Sequence, residues 1–303
     1  MNAPHLALNT HPVTPRKALP DRASLYDRLT ESGWALLRGY EVDIEKFGGL
    51  ISELCPRLTF DPARDYASEA VQVVDAGQSA VGLHIENGNT PLPPEVVSFY
   101  SARSTSRGSQ TTACDGVAVL GAMSAELKKQ FTEPFTMTRY LPKVIWQRYV
   151  ATALGIESPD AVDEEHLATF IALVPGQSCT WADEQGIDYT LAINAIREDN
   201  FAGAPAFANA LLGPSYNYET PTYRFSTGEV ISTDILAELA ALGEEYTQEI
   251  DWQDGDIVVI DNKRVMHGRR AIEVPLLERE LFIAMGRGRY NVLDSAVTPG
   301  VSQ

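Results

Sequence analysis

His84-Ile85-Glu86 and, 183 residues further on, His267 are the side chains in this sequence best suited to hold a metal. Two imidazoles and one carboxylate can occupy one face of a divalent iron. The opposite positions stay open for a chelating co-substrate and for oxygen. The chain has five histidines, at positions 5, 11, 84, 166 and 267. His5 and His11 fall in a Pro/Asn/Thr-rich stretch and His166 on a polar helical face, which leaves the two that such a site needs. Twelve residues after His267 stands Arg279, whose planar guanidinium suits the distal carboxylate of a dicarboxylate chelator. Thr111 can add a hydroxyl to the same carboxylate. Each residue also has an ordinary reading: His-x-Glu occurs on many surfaces, Arg279 could pair with Glu278 or Glu280, and threonine is common in strands. The combination carries the weight.

These residues need particular elements to bring them together. His84 and Glu86 are two apart, so an extended strand points both to one face. His267 must arrive on a distant strand laid alongside, after the apolar run Ile257-Val258-Val259-Ile260 and what reads as a polar turn, Asp261-Asn262. Strands are also expected between Gly33 and Gly39, at Val81-Gly82-Leu83 leading into His84, at Val96 to Tyr100, from Gln110 to Ala113 and at Leu281 to Met285. Helices are expected after Asp21 or Ser24, over Ile44 to Leu54, from Ser124 to Gln130, over Asp163 to Leu173 and over Thr233 to Thr247. In the last of these, Leu236, Leu239, Leu242 and Tyr246 share one face. Many short strands with a few helices suggest a mainly β jelly roll with peripheral helices. Residues 1–20, with Pro4, Pro12, Pro15 and Pro20, read as a flexible leader, and 21–303 as a single domain.

The bulk composition excludes several classes. Acidic residues outnumber basic ones by 41 to 24, a formal charge of −17 that repels nucleic-acid phosphates. It mildly favours a cationic or zwitterionic substrate, although solubility alone accounts for it. No apolar run approaches the roughly 18 residues of a membrane span. The stretch Met1-Asn2-Ala3-Pro4-His5 lacks the layout of a secretory signal. Three widely spaced cysteines (Cys55, Cys114, Cys179) argue against a disulfide framework, so a cytoplasmic location is expected.

Four segments together carry a family resemblance. They are His84-Ile85-Glu86-Asn87 with Pro93-Pro94 and Val97-Ser98-Phe99-Tyr100; Gly108-Ser109-Gln110-Thr111-Thr112-Ala113-Cys114-Asp115-Gly116; Trp252-Gln253-Asp254-Gly255-Asp256-Ile257 through His267-Gly268-Arg269; and Arg279. From about Gly33 to Arg289 the chain resembles the TauD/TfdA group of Fe(II)/2-oxoglutarate-dependent oxygenases. The resemblance implies a double-stranded β-helix core, with Fe(II) on His84, Glu86 and His267. It also implies 2-oxoglutarate on Thr111 and Arg279, and O2 as the oxidant. Two departures bear on the substrate. Glu86 stands where taurine-metabolising members carry aspartate, as in branches similar to clavaminate synthase and the amino-acid β-hydroxylases. Ile283 stands where sulfonate users carry a second arginine. The expected partner is therefore a small, amino-acid-like substrate, hydroxylated at an unactivated C–H bond; desaturation, cyclisation and epoxidation use the same oxidant.

Rival readings fare worse. Related halogenases replace the carboxylate ligand by Gly or Ala, and Glu86 fills that position. A cupin would show His-x-His, which is absent. A catalytically inactive metal-binding or scaffold protein of the same fold has no need of this triad with Arg279. Asn87, Asn89, Arg269, Arg287 and Tyr290 are candidates for substrate contact.

Overall fold

The computed structural model describes residues 18–75, 77–105, 108–213, 220–274 and 279–289. All but the last three residues of the expected leader therefore lie outside the described residues. The first elements are α1 (Arg22–Ser32), β1 (Trp34–Leu37), α2 (Ile44–Leu54), β2 (Arg57–Thr59), β3 (Gln72–Val73), β4 (Val81–His84), β5 (Val96–Arg103) and β6 (Thr111–Asp115). There follow α3 (Gly116–Ala122), α4 (Ala125–Gln130), β7 (Phe135–Pro142), α5 (Lys143–Leu154), α6 (Glu164–Ala172), β8 (Gln177–Asp183) and β9 (Gly186–Ile193). The remainder are β10 (Ile196–Glu198), β11 (Pro205–Phe207), β12 (Thr222–Arg224), α7 (Thr233–Glu245), β13 (Thr247–Ile250), β14 (Asp256–Asp261), β15 (Val265–Arg269) and β16 (Glu280–Arg287).

Helix starts follow the capping chemistry of the sequence. Asp21, not Ser24, caps α1 by accepting from the Ser24 N–H at 2.8 Å, and Ser124 caps α4. Asp163 and His166 form a reciprocal capping pair at the start of α6, which gives His166 a structural task. On α7, Leu239 is buried and Leu236 and Leu242 pack against the same core, whereas Tyr246 is exposed because the helix has ended before it.

Two antiparallel sheets make the jelly roll. One has the order β1-β14-β5-β16-β2, with β3 also on β16; the other has the order β13-β6-β15-β4. Period-two alternation sorts their side chains into separate cores. On β14, Ile257 and Val259 face α1 and α2, whereas Val258 and Ile260 face the second sheet. The β5 strand splits likewise, Val96 and Tyr100 to the helices and Val97 and Phe99 inward. On the second sheet, Val265 and Ala113 point inward, while Met266, Cys114 and Leu83 point outward to a third core. His84, Thr111 and His267 therefore share the inward parity. A further sheet, β12-β7-β9-β8, caps that third core with α5 and α6. The fold is mostly antiparallel sheet with seven α-helices among the described residues, and none of these helices is long and apolar enough to cross a membrane.

One buried arginine fastens the β14–β15 turn to its surroundings. Arg264 donates through Nε and Nη2 to both oxygens of Asp115, at 3.0 and 2.8 Å. It also donates to the Thr30 and Glu31 carbonyls at the end of α1, at 3.1 and 3.3 Å. Arg264→Ala should lower unfolding free energy by about 3 kcal/mol, the lower end for a broken buried pair because Asp115 is partly exposed. Urea denaturation measures this, and a change under about 0.5 kcal/mol, the range of ordinary surface substitutions, would contradict it.

Candidate metal and co-substrate site

Cross-strand register brings the candidate metal ligands together. His267 on β15 lies directly opposite His84 on β4, and their ring centroids are 4.5 Å apart. The close approach of these strands depends on Gly268, where a Cβ would meet the Val81 carbonyl oxygen at 2.6 Å. Glu86 follows two residues after His84, and the chain then turns away at once through Asn87, which takes a left-handed conformation (φ 53°). Asparagine tolerates that conformation better than most residues. One ligand atom from each of His84, Glu86 and His267 can lie within 4.8 Å of the others.

The surroundings hold His84 and Glu86 in forms that can ligate a metal. The His84 Nδ1–H donates to the Gly82 carbonyl at 2.8 Å, leaving the Nε2 lone pair for the cavity. Burial and the neighbouring His267 push the His84 pKa down to about 4, so the ring is neutral at physiological pH. Burial pushes the Glu86 carboxyl up, but the Arg64 guanidinium and the His267 ring outweigh it and hold the group well below the usual carboxylate range. Its two oxygens have different partners: Oε1 accepts from Arg64 Nη2 at 3.0 Å, and Oε2 lies 3.2 Å from His267 Nε2. Phe99 meets the His267 ring edge-on at 5.2 Å. Two imidazoles, one of them the neutral His84 ring, and an ionised carboxylate, gathered in a protected wall, fit a divalent iron.

Asp261 and Asn262, expected as a polar turn, are fully buried. The Asn262 Oδ1 accepts from the Glu86 N–H at 2.8 Å, and its Nδ2 donates to the carbonyls of Glu86 and Pro94 at 3.0 and 2.8 Å. This amide locks the Glu86 backbone to the hairpin that carries His267.

A cavity of about 360 Å³ opens over the cluster, and Thr111, Arg269 and Arg279 line it together with His84, Glu86 and His267. Thr111 accepts from the Trp252 indole N–H at 2.9 Å, which leaves its own hydroxyl hydrogen free to donate. The Arg269 Nη2 donates to the Gly77 and Ser79 carbonyls at 2.8 and 2.6 Å. Arg279 makes no ion pair among the described residues: Glu280, its candidate partner on the ordinary reading, pairs with Arg103 at 3.0 Å, and Glu278 lies outside the described residues. Burial and the charge of Arg269 push the Arg279 pKa down to about 10, which keeps it cationic at neutral pH.

Of the other candidates, Asn87, Asn89 and Arg269 line the cavity, Arg287 does not, and Tyr290 lies outside the described residues. The sequence reading missed Arg64, Arg139, Trp252 and Asn262. Among the described residues the cavity lining holds arginines 64, 139, 269 and 279 with Asp61, Asp75 and Glu86. In a chain of charge −17, four arginines in one lining make a local environment suited to an anionic group.

Comparison with known proteins gives the chain a family and its fold solved counterparts. The family model for the taurine catabolism dioxygenase TauD, TfdA family matches residues 11–285. The dapdiamide synthesis protein DdaC of Enterobacter agglomerans is 22% identical over 275 residues, covering 81% of this chain and 80% of that protein. A taurine dioxygenase from Burkholderia xenovorans superposes with a TM-score of 0.56 at 12% identity, over 90% of this chain and 83% of that one. An asparagine oxygenase solved with Fe(II), 2S,3S-3-hydroxyasparagine and succinate superposes with a TM-score of 0.51 at 14% identity, over 88% and 77% of the two chains.

Replacing the buried amide tests the local architecture. Asn262→Ala strands one N–H and two carbonyls, and should cost about 3–5 kcal/mol in urea unfolding. Asn262→Asp, which keeps the shape and loses the donors, should be comparably destabilised. Wild-type stability in the aspartate variant would show that these hydrogen bonds matter little.

Proposed function

We propose a specific reaction for this chain, which belongs to the taurine catabolism dioxygenase TauD, TfdA family: hydroxylation of an unactivated C–H bond in an amino acid or related metabolite of a biosynthetic pathway. The protein is an Fe(II)/2-oxoglutarate-dependent dioxygenase with a double-stranded β-helix core. The observation that carries the reading is the buried His84, Glu86 and His267 cluster with Arg279 across the same cavity. In this reading the three residues hold the iron, and Arg279 with Thr111 binds the far carboxylate of 2-oxoglutarate. Iron with 2-oxoglutarate and O2 supplies the oxidising chemistry, with succinate and carbon dioxide as co-products.

The chain's own groups prepare that chemistry. The Gly82 carbonyl fixes the His84 tautomer, and Arg64 with His267 keeps Glu86 ionised. Trp252 turns the Thr111 hydroxyl toward the cavity, and the two sheets exclude water behind the histidines. Support for an amino-acid-like substrate comes from Glu86 in place of aspartate, from the arginines that line the cavity, and from the names of the proteins that the chain resembles, dapdiamide synthesis protein and asparagine oxygenase. The same site can serve desaturation, cyclisation or epoxidation. An inactive scaffold is a weaker reading, because burying several arginines around a metal cluster destabilises a fold that has no use for them.

Anaerobic addition of Fe(II) and 2-oxoglutarate should produce a weak visible metal-to-ligand charge-transfer band, and His267→Ala should abolish it. A full-strength band in that variant would mean that the ligand assignment is wrong. Arg279→Ala should weaken 2-oxoglutarate by about 1.5–3 kcal/mol, one to two decades in affinity, and leave iron binding nearly unchanged. Arg279→Lys should recover only part of this, because an ammonium lacks the planar fork. Equal 2-oxoglutarate affinity in all three proteins would return Arg279 to a structural role.

A further inference from the structure

We propose that Arg64 is a positioning residue that restricts Glu86 to one metal-binding oxygen. The inference rests on the ligand set proposed above and concerns a residue outside it. The Glu86 carboxylate is divided between two neighbours: Oε1 is held by Arg64 Nη2 at 3.0 Å, while Oε2 faces His267 Nε2 at 3.2 Å. Only Oε2 therefore looks into the space that the histidines share.

The arginine is held as firmly as the carboxylate. It closes a turn from Asp61, in which the Arg64 N–H donates to the Asp61 carbonyl at 3.1 Å and the Ala63 N–H to Asp61 Oδ1 at 2.9 Å. Gln72, on β3 and 1% exposed, clamps that turn from behind. Its Oε1 accepts from the Asp61 N–H at 2.9 Å, and its Nε2 donates to the Asp61 and Arg64 carbonyls at 2.9 and 3.3 Å. Asp61 Oδ2 stands 3.6 Å from Arg64 Nε, whereas Glu86 is held through Nη2. The guanidinium thus stands half-buried between two carboxylates in the cavity wall, with Oε1 as its hydrogen-bonded partner.

Coordination arithmetic shows why this matters. On a six-coordinate iron, two histidines and one carboxylate oxygen would fill half of the positions. A chelating 2-oxo acid would take two more and leave one for oxygen. A glutamate that chelated through both oxygens would close that last position. A carboxylate oxygen already engaged in a charge-assisted hydrogen bond is a poor second ligand, and outer partners of this kind set ligand orientation. Arg64 thereby preserves the place where oxygen binds.

Nitric oxide, an oxygen surrogate that needs the same position, tests the idea in wild type, Arg64→Gln and Arg64→Lys. Iron, 2-oxoglutarate and nitric oxide are added in that order without air, and each binding step is measured. In Arg64→Gln, iron should bind as well as in wild type or better. Nitric oxide binding to the 2-oxoglutarate complex should weaken by about ten- to a hundredfold, the range for loss of an outer-shell partner. Arg64→Lys keeps one charged donor and should stay within about threefold of wild type. Undiminished nitric oxide binding in Arg64→Gln overturns the proposal, as does joint loss of iron and nitric oxide binding in both variants, the mark of a merely structural arginine. If Arg64→Gln does not fold, infrared difference spectra of the wild-type protein on metal addition decide the matter. A wider splitting of the carboxylate stretches supports a one-oxygen ligand, and a narrower one overturns it. Failure of wild type to bind iron at all would instead defeat the underlying ligand set, and this role of Arg64 with it.

Discussion

The amide of Asn262 is the constraint from which the site follows. It lies in the turn between β14 and β15 and bonds to both backbone groups of Glu86. Through it the segment that carries His84 and Glu86 is indexed to the hairpin that carries His267. Strand pairing alone sets His84 opposite His267, yet β4 ends at His84. Beyond that point the ladder no longer dictates where the chain goes, and the Asn262 amide supplies the missing register. Burial makes this connection specific, since an amide away from water has no alternative partner to offset a misplaced one.

Electrostatics divides the molecule into an acidic exterior and an arginine-lined interior. Each buried cation is managed differently. Arg264 is saturated by Asp115 and main-chain carbonyls, Arg64 stands between Asp61 and Glu86, and Arg269 donates to carbonyls of the loop before β4. Arg279 keeps its charge in a place where the described protein offers no counter-ion. That imbalance sets Arg279 apart from the arginines that the scaffold itself satisfies, and it is what the proposed role in holding a dianionic co-substrate rests on.

The parts of the site that were legible in the sequence have distinctive chemistry at distinctive spacing. His84 and Glu86 sit two apart on an extended segment, and His267 was the remaining histidine with a strand before it. The inner strands were legible because their apolar runs are long enough to require two covered faces. Arg64 was not, because it comes from a loop whose position depends on the Gln72 side chain, a tertiary contact that leaves no local pattern. Asn262 was read as part of a polar turn because Asp-Asn is ordinary turn composition; it does lie in the turn, and only the packing around it makes it interior. The β7 strand, Phe-Thr-Met-Thr-Arg-Tyr-Leu-Pro, alternates buried and half-buried along its whole length, so its strand character was present in the sequence. Its Arg139 could not be assigned to the cavity, because that depends on how a separate sheet docks against the jelly roll.

The β4 strand is four residues long and forms the open edge of its sheet, with β15 as its neighbour. Among the described residues its ladder hydrogen bonds run to β15 alone, and such an edge opens more readily than an inner strand. In the proposed ligand set the iron spans β4 and β15 directly, through His84 and His267. The metal then acts as a clasp on the sheet margin as well as a reaction centre. Because an ion that binds only the folded form stabilises it by mass action, iron supply would regulate how long this strand stays in place. Metal starvation would first be felt as loosening of the edge, before any loss of the core.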